Sequence, residues 1–247
     1  MQKQFSRTQL LVGEEAMERL AQSRVAVFGV GGVGGYVVEA LARSGVGALD
    51  LIDDDKVALS NINRQIIATL STVGRYKTDV AAERIRDINP ECIVREHRTF
   101  FMPETSSQFN FGEYDYVVDA IDTVTGKIEI IMQAKAAGVP VISSMGAGNK
   151  MDPTAFRVAD IYKTSMCPLA KVMRHEMKKR GVKKLKVVYS TEQSIEPKGE
   201  PEEDTAGQTD TRPGVSRKRA PGSNAFVPSA AGLIIAGEVI KELIQIK

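Results

Sequence analysis

An apolar run over residues 24–30 ends in Gly29-Val30-Gly31-Gly32-Val33-Gly34, and helical periodicity resumes at Tyr36. Glycines at this spacing let a chain leave a strand and enter a helix through a turn with no room for side chains. They also aim backbone N–H groups and a helix N-terminus at an anion. The next apolar run, 48–52, ends in Asp53, nineteen positions after Gly34. That is close to the spacing at which a carboxylate accepts hydrogen bonds from ribose hydroxyls. The unit reads as a βαβ fold that binds an adenine nucleotide, and by itself it separates neither NAD nor ATP.

Strand and helix patterns keep alternating beyond it. A polar helix is expected over about 77–88, ended by Asn89-Pro90, followed by strands over 92–99 and 114–121, a helix over 126–137 and a strand over 139–143. Such alternation predicts the α/β class, with a doubly wound, Rossmann-like, mostly parallel sheet whose working loops lie at the carboxyl ends of the strands. Apolar positions over 8–22 predict one preceding helix. From Met151 the pattern becomes a smaller, irregular α+β extension: a segment over 156–162, a basic helix over about 168–180, a strand over 185–189, a flexible loop over 194–223 and a final helix. The expected division is an ATP-binding adenylation domain over 1–150 and a C-terminal extension over 151–247.

Composition narrows the class. With 43% hydrophobic and 26% charged residues among 247, the chain is neither disordered nor fibrous and can bury a core. Two cysteines, Cys92 and Cys167, exclude a disulfide framework and a four-cysteine zinc site within the chain, and they fit a reducing compartment. No apolar signal segment opens the sequence, and the late apolar stretch 230–246 carries Glu238, Lys241 and Glu242. It therefore reads as a buried helix and not as a membrane span, and the protein as cytoplasmic.

The segment after Asp53 favours ATP. It contains Asp54, Asp55, Ser60-Asn61-Ile62-Asn63-Arg64-Gln65 and then Lys77, while Asp122 closes a later strand. A hydride-transfer enzyme does not need cations and amides concentrated beside its ribose acid, whereas adenylation must neutralise charge on a departing pyrophosphate. Asp122 offers hard oxygen ligands to the magnesium that accompanies the nucleotide. Singly, these residues read as loop charges, a helix cap at Asn61, a surface lysine and, for Arg7, part of a tail. In this order and spacing they read as one site.

Together they resemble the adenylating domain of the ubiquitin-activating-enzyme superfamily, which includes the bacterial adenylyltransferases of molybdopterin and thiamine biosynthesis. The resemblance implies that Gly29, Gly31, Gly32 and Gly34 line the phosphates and that Asp53 holds the ribose, with Asp55 beside it. Asn61, Arg64, Gln65 and Lys77 would hold the triphosphate. It further implies that Arg64, Lys77 and Asp122 serve catalysis, Asp122 with magnesium, and that Arg7 crosses from a partner subunit, hence a homodimer. The second half resembles the tRNA threonylcarbamoyladenosine dehydratase branch. It does so at Gly146-Ala147-Gly148, Met151-Asp152-Pro153-Thr154, Asp160-Ile161-Tyr162-Lys163-Thr164, Pro168-Leu169-Ala170, Val187-Val188-Tyr189-Ser190-Thr191-Glu192 and Phe226-Val227-Pro228. That branch implies ATP-dependent dehydration of the modified nucleoside through an acyl-adenylate of the threonyl carboxylate. Tethering the attacking carbamoyl group in the same side chain supplies a high effective molarity, and no catalytic cysteine is needed. The chain has no C-x-x-C pair, so no zinc is expected. Cys167 stands where that branch commonly carries aspartate, and it reads as a half-buried packing residue.

A nucleic-acid partner agrees with the charge pattern. Lys171, Arg174, Lys178, Lys179, Arg180, Lys183, Lys184 and Lys186 cluster against a single acid, Glu176, with a second basic knot at Arg217-Lys218-Arg219. Such patches bind phosphate backbone by counterion release. Lys171, Arg174, Lys178, Lys179 and Lys183 are therefore the tRNA-binding candidates, with a solvated helix face as the ordinary alternative. A sulfur-relay protein is a further candidate partner. The competing readings are an adenylyltransferase for the C-terminus of a small sulfur-carrier protein, a non-catalytic nucleotide-binding scaffold and an NAD-dependent oxidoreductase. The Arg64/Lys77 pair weakens the last of these.

Overall fold

The computed structural model describes residues 3–199 and 221–245. The basic knot at 217–219 and most of the expected 194–223 loop lie outside the described residues. Among those described, seven strands form one sheet: β1 (Arg24–Phe28), β2 (Ala48–Ile52), β3 (Ile93–His97), β4 (Tyr116–Asp119), β5 (Val141–Ser144), β6 (Phe156–Asp160) and β7 (Lys186–Ser190). They lie in the order β3-β2-β1-β4-β5-β7-β6. Every neighbouring pair is parallel except β6 with β7. The residues after 150 thus add two strands to the sheet begun by β1.

Helices cover both faces, as a parallel sheet requires. Val25 and Val27 of β1 point to one side, where they meet α2 (Glu14–Gln22), α3 (Gly34–Arg43), α4 (Lys77–Ile88) and α7 (Val227–Leu243). Ala26 and Phe28 point to the other, where α5 (Val124–Ala136), α6 (Pro168–Lys179) and the rings of Phe101, Phe109 and Phe111 pack. The period of two along each strand divides the core into these two layers. β1 and β4 are adjacent although β2 and β3 intervene in sequence. The two strands are parallel, and the direction in which successive strands are added to the sheet reverses between them, which opens a crevice at their carboxyl ends.

The single helix expected over 8–22 is two. Gly13 sits at φ +87° and separates α1 (Ser6–Val12) from α2, a backbone state that glycine adopts without strain. Ala16, Met17 and Leu20 of α2 are buried, whereas Leu10 and Leu11 of α1 remain 88% and 84% exposed. Among the described residues no helix is long and apolar enough to cross a membrane. The late apolar stretch is α7, with Val227, Ala231, Ile235, Ala236 and Val239 fully buried against the sheet and α3.

α7 reaches α3 through Gly232, where an added Cβ would lie 2.4 Å from the Val33 carbonyl oxygen and 2.8 Å from Tyr36 Cβ. Gly237, one and a half turns further on, has nothing within 4 Å of such a Cβ. The two positions make opposite predictions. Gly232→Ala forces the helices apart and should cost about 1–3 kcal/mol, lowering the thermal midpoint by about 2–4 °C per kcal/mol. Gly237→Ala should raise the midpoint, because it removes about 0.5–1 kcal/mol of helix-interior glycine penalty. Thermal unfolding of both variants checks the pair.

Candidate active site

The crevice between β1 and β4 is built from the glycine turn. Gly29 has φ +89°, and a Cβ on it would meet the Ala120 carbonyl oxygen at 2.8 Å; one on Gly34 would meet the Gly29 oxygen at 1.8 Å. These two glycines are explained by the turn and by the approach of α3 to β4. Gly31 differs. The nearest atom to its added Cβ is Nε2 of Gln65, 3.8 Å away, so no packing within the chain requires a glycine there. Absence of a side chain where nothing fills the space fits close approach of a bound phosphate to the backbone. Gln65, 6% exposed, carries a buried Oε1 that has no hydrogen-bond partner among the described residues.

Asp53 closes the turn from β2. One carboxylate oxygen accepts the Val30 N–H at 2.7 Å and the other accepts Asp55 N–H at 2.9 Å. Burial pushes its carboxyl above the ordinary range, and the nearby Lys77 ammonium pulls it back. Lys77, at the start of α4 and 6% exposed, lies 2.7 Å from Asp55 and 3.8 Å from Asp53. Lys77 is not the surface lysine it resembles when read singly but a buried cation beside two acids, next to the glycine turn.

The turn over residues 58–65 brings the remaining donors. Asn61 is buried, and its Oδ1 accepts the Ala58 N–H at 3.1 Å. Its backbone oxygen accepts the N–H groups of Arg64 and Gln65 at 3.1 and 2.9 Å. The local cap weighed for Asn61 is thus present, and it holds the two residues behind it in place. Arg64 Nη1 donates to the Ser60 carbonyl and to Asn63 Oδ1 at 2.8 and 2.9 Å. Its Cγ lies 3.5 Å from where a Gly32 Cβ would stand. Gly31, Gly32, Asp53, Asp55, Arg64, Gln65 and Lys77 therefore converge.

Asp122 follows β4, two residues beyond the Ala120 carbonyl that touches Gly29. It is exposed and, among the described residues, makes no ion pair. Beneath it lie two wholly buried charges that sequence reasoning did not single out, Asp119 and Lys127. Burial pushes the Asp119 carboxyl upward, opposed by Lys127 and by hydrogen bonds from Ser143 and the Ile121 backbone. A signal was present: Lys127 shares the i, i+3, i+4, i+7 stripe of α5 with Ile130, Ile131 and Ala134, all fully buried.

Arg7 lies outside this cluster. It projects exposed from α1, on the face that Leu10 and Leu11 share with it at i+3 and i+4. The basic segment also sorts differently from its charge count. Arg174 is turned inward, with Nη1 donating to the Thr164 carbonyl at 2.9 Å and to its hydroxyl. Arg180 pairs with Glu176, and Lys186 pairs with Glu238 at 2.9 Å and with Glu242. What α6 presents outward is Lys171, Lys178 and Lys179 along with His175, opposite its buried Ala170, Met173 and Met177. Lys183 and Lys184 follow, also exposed. Cys167, expected half-buried, is 3% exposed. Cys92 is buried as well, and burial pushes its thiol up to about 11, away from the reactive thiolate.

A glycine cradle at a sheet's switch point, floored by a buried lysine and two acids, defines a nucleotide-binding α/β protein. Residues 5–247 match the ThiF family model, and the chain belongs to that family. It is 47% identical over 246 residues to the tRNA threonylcarbamoyladenosine dehydratase of Bacillus subtilis (strain 168), covering 99% of this chain and 96% of that protein. To the protein of the same name from Escherichia coli (strain K12) it is 41% identical over 206 residues, covering 80% and 77%. The crystal structure of E. coli tRNA N6-threonylcarbamoyladenosine dehydratase in complex with ATP matches with a TM-score of 0.86 and 35% identity, covering 98% of this chain and 94% of that one. The same protein in complex with AMP matches equally well.

The glycine geometry predicts a separation of binding from folding. Gly31→Ala should leave the thermal midpoint unchanged and weaken ATP binding by at least an order of magnitude, since one misplaced contact at a phosphate amounts to about 1.4 kcal/mol or more. Gly34→Ala should lower the midpoint outright, because its Cβ has no space. Calorimetric titration with ATP alongside thermal unfolding distinguishes the two.

Proposed function

We propose that this chain is an ATP-dependent tRNA threonylcarbamoyladenosine dehydratase. The full-length likeness to the B. subtilis enzyme carries the reading, and the cradle supplies its physical basis. The threonyl carboxylate of the modified nucleoside attacks the α-phosphorus of ATP and displaces pyrophosphate, giving an acyl-adenylate. The neighbouring carbamoyl group then attacks the activated carbonyl carbon, closes a ring and expels AMP. Activation is needed because a carboxylate oxygen is a poor leaving group, and the tethered nucleophile gives the second step its rate.

Each residue has a task within this scheme. Backbone N–H groups around Gly31 and the N-terminus of α3 receive the phosphates. Asp53 orients the ribose while anchoring Val30. Lys77, held by Asp55, and Arg64, anchored by Ser60 and Asn63, place positive charge where the pyrophosphate departs. Asp122 is the ligand suited to magnesium, a hard cation that neutralises the phosphates when bound. Buried Cys92 and Cys167 take no part.

Two further parts complete the reading. The protein works as a homodimer in which α1 docks on a second copy: Leu10 and Leu11 supply the apolar contact, and Arg7, on the same face, enters the partner's site. The outward stripe Lys171, Lys178 and Lys179, continued by Lys183, holds tRNA through its phosphates, while Arg174 supports the stripe from inside through Thr164.

Arg64→Ala and Asp122→Ala should each lower kcat for AMP release by about 10²–10³-fold while leaving the fold intact, because both act on charge that develops in the transition state. Full turnover in either variant removes the site assignment. Neutralising Lys178, Lys179 and Lys183 together should raise the tRNA KM and leave ATP affinity unchanged. It should also reduce the log–log salt slope by up to about 2–3, at roughly 0.9 per lost phosphate contact. An unaltered slope places the tRNA elsewhere.

A further inference from the structure

The scheme above leaves one charge pair unused, and it is completely enclosed. Lys127 and Asp119 are each 0% exposed. Lys127 Nζ lies 3.1 Å from both Asp119 carboxylate oxygens and donates to the Ser144 carbonyl at 2.7 Å. The Ser143 hydroxyl donates to the same carboxylate, and so does the Ile121 backbone N–H. One ammonium and one carboxylate thereby join the last residue of β4, the last two residues of β5, the first turn of α5 and the backbone next to Asp122.

Stability does not account for this arrangement. Taking two charges out of water is costly, and apolar residues of similar volume in such places are often no less stable. The lysine also interrupts an otherwise apolar stripe of α5. What the network does hold is the β4–α5 turn. That turn has few fastenings of its own: among the described residues, Thr123 caps α5 without a side-chain hydrogen bond, and its buried Oγ1 has no partner. Gly126 presses the first turn of α5 close to Ile121 and the Phe101 carbonyl. Asp122, at the crest, has no ion pair among the described residues.

We propose that Lys127 is a positioning residue for the adenylation step: through Asp119 it fixes the β4–α5 turn so that the Asp122 carboxylate stays registered with the nucleotide. The proposal rests on the role given to Asp122 above. Fixing from below suits a residue whose upper side must stay open to ligand. Misplacement by about an ångström from a change remote from the chemistry can cost on the order of a hundredfold.

The test removes both charges at once, Asp119→Asn with Lys127→Met, so that neither is left buried alone. AMP release is followed with ATP and tRNA carrying threonylcarbamoyladenosine. We expect a folded protein, a kcat lowered on the order of ten- to a hundredfold and an ATP KM little changed. Adding Asp122→Asn to that background should reduce kcat much less than Asp122→Asn does alone, since residues acting through one another are not additive. A kcat within about twofold of the parent, or full additivity with Asp122→Asn, overturns the proposal. Should the double variant not fold, Ser143→Ala, which removes one hydrogen bond and strands no charge, is judged by the same two readouts. Normal turnover of Asp122→Asn in the otherwise unaltered protein removes the Asp122 assignment and this proposal together. An impaired Asp122→Asn beside a normal double variant removes the proposal alone.

Discussion

The Gly29 carbonyl oxygen stands 1.8 Å from where a Gly34 side chain would begin, and most of the molecule is arranged around that contact. With no side chain at either position, α3 starts directly above β1, its N-terminus opens into the crevice, and β4 closes against Gly29 through Ala120. Asp53 completes the turn by accepting the Val30 N–H. The carboxylate that would meet the ribose therefore also sets the shape of the loop that would meet the phosphates.

Charge around the crevice is organised in two tiers. Lys77 lies beside the glycine turn, hydrogen-bonded to Asp55 at 2.7 Å, with Asp53 further off at 3.8 Å. Lys127 and Asp119 lie below, closed to solvent and saturated with hydrogen bonds. Lys77 thus has one close carboxylate and a second beyond hydrogen-bond reach, whereas Lys127 has three acceptor oxygens within 3.1 Å.

The βαβ unit, the glycine turn, Asp53 and the start of α4 at Lys77 were all legible from local pattern, because a tight turn and a strand-end acid leave direct marks in composition. Long-range facts left none. Lys186 looks like one more cation in a basic run until α7 brings Glu238 and Glu242 against it, more than fifty residues later. Arg174 turns inward to Thr164 for a similar reason. The break at Gly13 was hidden because glycine permits a positive φ without demanding it, so α1 and α2 read as one helix. Lys127 was overlooked because a lysine among isoleucines reads as an interruption, whereas its partners Asp119 and Ser144 become visible only once β4 and β5 are side by side.

Gly232 has a consequence for how the protein is made. α7 is the last described element of the chain, yet it is the one that seats against Val33 and Tyr36 at the head of α3. During synthesis the motif at 29–34 leaves the ribosome well before the helix that braces it. A nascent chain thus carries the glycine motif without the helix that packs against it until α7 has emerged. Loss of α7 would therefore act far from itself in the sequence, on the turn at the head of α3.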